Sequence, residues 1–124
     1  MSSQHKDLAA GRWKQLTFLE QMAHVGSEVE RALSWRARDN AAYAQRAFER
    51  ALELLDLTLA STRAPRLKEL ARVREALLDD FAGDNMYAST DASWRQYFFA
   101  FAYAAREAGK KGQAMPVIKG SGDS

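Results

Sequence analysis

The sequence predicts an all-α fold, an antiparallel up-down-up-down four-helix bundle with a flexible C-terminal tail. Apolar residues recur at steps of three or four in four separate stretches. The only prolines, Pro65 and Pro116, fall between or after those stretches. No stretch of useful length alternates apolar and polar residues as a half-buried strand does. The 124 residues are one domain's worth, and at 47% hydrophobic and 27% charged they suit a globular core. Residues 1–12 read as a flexible arm, 13–109 as the bundle and 110–124 as the tail.

The first helix is predicted from about Lys14 to Arg38. Leu16, Leu19, Ala23, Gly26, Val29 and Leu33 form its stripe, widened by Met22, Val25 and Ala32. Gly26 in a helix interior costs about 1 kcal/mol against alanine, so a close helix crossing is expected there. Asp39 and Asn40 can cap a second helix over about Ala41–Ala60. Its stripe is Ala44, Ala47, Phe48, Ala51, Leu54, Leu55 and Thr58, and the short turn makes the pair antiparallel. A third helix follows Ser61–Ala64 over about Pro65–Phe81, with proline suited to the first turn and Gly83 as the C-terminal cap. Residues 84–89 form a loop, Thr90 or Asp91 caps the fourth helix, and that helix is expected to stop at Gly109.

The fourth helix is crowded with aromatics: Trp94, Tyr97, Phe98, Phe99, Phe101 and Tyr103 circle it. Trp94, Tyr97 or Phe98, Phe101 and Ala105 face the core. Rings on all sides cannot share one small core, so Phe99 and Tyr103, with Trp35 and Tyr87, are expected to form an interface. The segment AAYAQRAFERALELL is like one helix of a tetratricopeptide repeat, but it does not recur about 34 residues on.

Cysteine is absent, which removes disulfides, thiolate metal sites and cysteine nucleophiles. The N-terminus lacks an apolar core for a secretory signal, and no run reaches the roughly 18 apolar residues that span a bilayer. The expected address is the cytoplasm, without membrane contact.

Net charge is only +2, but it is unevenly spread. Residues 31–74 hold ten bases and five acids, whereas residues 75–91 hold Glu75, Asp79, Asp80, Asp84 and Asp91 with no base. Arg36 and Arg38 are expected to approach and neutralise this acidic segment. Its spacing does not fit a calcium loop, and whether it holds a cation is not legible. The opposite end collects Arg12, Lys14, Arg63, Arg66 and Lys68, the anion-binding candidates, with Arg106, Lys110 and Lys111 nearby.

No catalytic constellation is legible. His24 has Glu20 and Glu28 four residues to either side, a column that could touch a metal or be a solvated face. Di-iron bundles need Glu-x-x-His on two helices, and neither copy is present. No nucleophile elbow and no glycine-rich phosphate loop occurs. The HEPN nuclease modules are helical bundles of this size, but their signature pairs an Arg with a His shortly after it in one helix. Here the nearest Arg before His24 is Arg12, too far upstream.

The reading is a non-enzymatic interaction or scaffold protein that self-associates through the fourth helix, with no cofactor and a second copy or another protein as partner. One alternative is a nucleic-acid-associated module using the basic end, or a non-catalytic HEPN-like partner of a nucleotidyltransferase, by analogy of architecture alone. The other is a metal-dependent enzyme using His24 with Glu20 or Glu28. The partner's identity, the oligomer number and the pathway are not legible.

Overall fold

A computed structural model describes the backbone of residues 11–121 and the side chains of residues 11–110. The described residues are mostly helical, with no strand among them. The long helices are α1 (Phe18–Ala37), α2 (Ala41–Ala60), α3 (Arg66–Ala82) and α4 (Asp91–Ser121). A short helical stretch over residues 11–14 precedes them.

The first helix is therefore shorter than the expected 14–38. Its apolar rhythm runs unbroken through Leu16 and Leu19, but a capping box interrupts the backbone. The Thr17 side chain accepts the Glu20 N–H at 3.1 Å, and the Glu20 carboxylate accepts the Thr17 N–H at 2.8 Å. Two donors that the helix start would leave orphaned are satisfied reciprocally. The break swings residues 11–14 back across the end of α2. Trp13, only 8% exposed, donates its indole N–H to Thr58 Oγ1 at 3.0 Å. Buried Gln21 donates to the Trp13 carbonyl at 2.8 Å, so the polar groups in this corner are partnered. Residues 11 and 12 of the expected flexible arm are thus helical, and residues 1–10 lie outside the described residues.

The turn into α2 is as short as expected. Asp39 takes a left-handed φ of 60°, and Asn40 caps α2 by accepting the Tyr43 N–H at 3.0 Å. At α3 the proline stands one position earlier than expected, at the N-cap rather than inside the first turn. Gly83 closes α3 with its N–H on the Asp79 carbonyl. Thr90 and Ser93 exchange side-chain and backbone bonds at the start of α4. That helix does not stop at Gly109. It continues to Ser121, through most of the stretch expected to be a flexible tail. One interior glycine costs only about 1 kcal/mol, which is too little to end a helix by itself.

The core is centred on α1, which packs against both α2 and α4, while α3 packs on α2. Met22, Val25, Val29, Ala32 and Leu33 of α1 are buried with Ala47, Phe48, Ala51 and Leu55 of α2. Leu70 and Leu77 of α3, Trp94 and Phe98 of α4 and Trp13 complete the cluster. Phe48 stacks on Phe81 with centroids 4.9 Å apart, joining α2 to the end of α3. Gly26 is where α1 and α4 touch. A Cβ on it would lie 2.8 Å from the Phe98 Cβ, so only glycine fits the crossing.

Candidate interaction surface

The aromatics of α4 divide by depth. Trp94 and Phe98 are buried, Tyr97 and Phe101 are half-buried, and Phe99 and Tyr103 stand out at 61% and 53% exposure. A helix turns about 100° per residue. Placing positions 94, 98 and 101 inward therefore leaves 99 and 103 together on the outside. Their rings stack with centroids 6.2 Å apart. Beside Phe99 a shallow groove of about 740 Å³ runs between α1 and α4, over Ala23, Gly26, Trp94, Phe98 and Ala102. The small residues that let the two backbones approach also leave this groove open. Its rim is polar and carries both signs. Arg95 Nε donates to Glu30 at 2.8 Å, which holds that carboxyl below its ordinary range and raises the guanidinium. Arg31, on the same rim, pairs with Glu28 at 3.4 Å.

The other two expected interface residues lie in separate groups. Trp35 is half-buried at the α1–α2 turn, edge-on to Tyr43 at 4.8 Å with Arg38 over its ring at 5.3 Å. Tyr87, 61% exposed, sits in the α3–α4 loop. The structure thus pairs Phe99 with Tyr103 but describes no contact joining them to Trp35 or Tyr87. Sequence reasoning missed Tyr43, which is exposed because it falls off the α2 stripe beside Ala44. It also missed Met86, the most exposed of the large apolar side chains described.

The acidic segment is divided among three tasks. Asp80, with a side chain only 7% exposed, accepts from Arg36 at 3.1 Å and from the Trp94 indole N–H at 2.8 Å. Arg36 also reaches Asp91 at 3.0 Å and covers the Phe81 ring at 4.2 Å. Burial alone would lower the Arg36 pKa, but the two carboxylates outweigh it and raise it. This clasp ties the end of α1 to the end of α3 and the start of α4. Asp79 instead holds the loop, accepting the Met86 N–H at 2.8 Å and the Tyr87 N–H at 2.9 Å. Glu75 and Asp84 face solvent. Of the two arginines expected here, Arg36 arrives, whereas Arg38 lies on Trp35.

At the opposite end, Arg66 covers the Phe18 ring at 4.3 Å, and Arg63 and Arg66 line a groove of about 240 Å³ with Leu16, Phe18 and Gln21. The Trp13–Thr58 bond brings the stretch carrying Arg12 and Lys14 to this end of α2, and Lys68 is exposed on the first turn of α3. Among the described residues none of these five cations forms an ion pair. One turn further along α3, the Tyr97 hydroxyl donates to Glu69 at 2.6 Å. Burial and then the carboxylate raise the phenol well above its ordinary value.

The His24 column is dispersed. His24 packs its ring on Trp13 at 5.7 Å, Glu20 closes the capping box, and Glu28 pairs with Arg31 and Arg50. Among the described residues no three His, Cys, Asp or Glu side chains come together to hold a metal ion. Among them also, no helix is long and apolar enough to cross a membrane. Compared with family models, curated proteins and solved structures, the chain matches none.

Proposed function

We propose that this chain is a non-enzymatic interaction protein. Its helices form an antiparallel up-down-up-down bundle that associates with a second copy through the outer face of α4. The pairings that support the topology run end to end. Arg36 at the end of α1 meets the end of α3 and the start of α4, while Phe18 at the start of α1 meets Arg66 at the start of α3 and Phe101 well into α4.

The observation that carries the function is the stacked, exposed Phe99–Tyr103 pair beside the α1–α4 groove. Two large rings side by side in water form an apolar patch of the kind that marks an interface. A twofold contact would lay each pair along the groove of the other copy. The rim suits such a contact, since Glu30, Arg31 and Arg95 supply both signs within one self-complementary patch. Replacing Phe99 with glutamate is the test. A single-copy species with unchanged helicity is expected, and an unchanged association state contradicts the reading. The proposed address, the cytoplasm, rests on composition.

A second reading, polyanion binding at the basic end, is favoured by the five cations without ion pairs among the described residues. Single-stranded RNA binding at low salt, lost on Arg63→Glu with Arg66→Glu, would support it. Absence of binding at low salt removes it.

A further inference from the structure

The two ends of α3 carry opposite charge, one beside a pair of exposed apolar side chains and the other beside a groove, and neither belongs to the α4 face. At its C-terminal end, Met86 and Tyr87 protrude at 83% and 61% exposure beside Leu78 and Glu75. The corner is pinned, with the Asp79 carboxylate holding both backbone N–H groups and Asn85 and Ser89 exchanging bonds at 2.9 and 3.0 Å. No base occurs from residue 75 to 91. At the N-terminal end lies the groove of about 240 Å³ formed by Leu16, Phe18, Arg63 and Arg66. The 17 residues of α3 lie between, about 25 Å at about 1.5 Å per residue, so one molecule cannot bring its own corner to its own groove.

We infer that a second copy of this chain seats its Met86–Tyr87 corner in that groove, head to tail. The pinned loop presents an aromatic ring and a thioether with little ordering left to lose. The Arg66 guanidinium lies over the Phe18 ring at 4.3 Å, and its outer face takes a phenol ring by cation–π attraction. Glu75 and Asp84 of the entering copy then face Arg63, Arg66 and Lys68. Such a contact joins two different patches, so a pair of copies keeps one corner and one groove unused and assembly continues into a ring or an open chain. It does not rest on the twofold α4 contact.

The experiment uses the full chain carrying Phe99→Glu, which takes the α4 face out of play, and follows mass by light scattering. At about 0.01 M salt, where charges act over about 30 Å, mass should rise with concentration; at about 1 M, where they act over about 3 Å, it should fall back. A corner variant, Met86→Ser with Tyr87→Ser, and a groove variant, Arg63→Ser with Arg66→Ser, should each stop the rise. Mixed in equal amounts they should form a species of two copies and no larger, because only one competent corner and one competent groove meet. Tyr87→Phe, which keeps the ring, should retain the rise, and the two-copy mixture shows that the loss in either double variant is not misfolding. No rise in the parent at low salt overturns the proposal. So does growth of either double variant alone, or a mixture that stays single. Growth that appears only when single-stranded RNA is added assigns the groove to nucleic acid and overturns it as well.

Discussion

The Gly26 Cα faces Phe98 so closely that a methyl group on it would fall 2.8 Å from the Phe98 Cβ and 3.1 Å from its ring. The Cβ is fixed to the α4 backbone and cannot swing aside, so Gly26→Ala must separate α1 from α4. Overpacking of this kind costs about 1–3 kcal/mol, against about 1 kcal/mol returned by the better helix former. A net loss of about 1 kcal/mol is expected in denaturant unfolding. A stabilised alanine variant would mean that the two helices do not touch there.

Arg36 and Asp80 should behave as a coupled pair. Arg36→Gln leaves a buried carboxylate whose charge is no longer compensated, with the neutral Trp94 indole N–H still donating to it, at a cost of about 1–3 kcal/mol. Adding Asp80→Asn removes the orphaned charge and should recover part of that loss. A double-mutant cycle in urea measures the coupling, and additive losses would show that the clasp carries no energy.

Tyr97 should set an alkaline limit. Its phenol pKa is raised in the folded chain by burial and by Glu69, so the folded state holds a proton that the unfolded chain releases near its ordinary value of about 10. The contribution is therefore complete below about pH 10 and declines as pH rises beyond it. Tyr97→Phe should lose about 1 kcal/mol at neutral pH with the hydrogen bond to Glu69 and show a weaker alkaline decline. An ultraviolet absorbance step near pH 10 that shrinks by one phenol in Tyr97→Phe would contradict this.

Thr17→Ala should cost about 1 kcal/mol by removing one half of the capping box. The loss should extend to Trp13, whose indole is docked on Thr58 by the break that Thr17 creates. A blue-shifted tryptophan emission component should move to the red in this variant. No change in stability or emission would show that residues 11–14 are held by something else.

What could be read from the sequence and what could not follow one distinction. Features set by local chemistry were legible: the Asn40 cap, the Gly83 stop, the Thr90 start and the small residue at Gly26 all sit where sequence rules place them. The Thr17-x-x-Glu20 box is just as local, but the apolar period running across it obscured the break. Features that depend on which side chains meet across the fold were not legible. Only the approach of Arg36 to the 79–91 segment followed from the helix directions. Nothing near Asp80 in sequence says that it is the partner or that the Trp94 indole joins it, nor near Tyr97 that Glu69 will accept its hydrogen bond. The candidate surface was legible in part. Rings all around α4 required some to be left outside, and Phe99 and Tyr103 are, but that argument could not tell that Trp35 and Tyr87 stand in separate groups.

Whether the α4 face meets another copy of itself decides the proposed function. Sedimentation equilibrium of the unmodified chain, in salt high enough to silence the charged ends, isolates that contact. Two copies of the 13.9 kDa chain per particle are predicted across micromolar concentrations. A particle of one copy at every concentration would contradict the account.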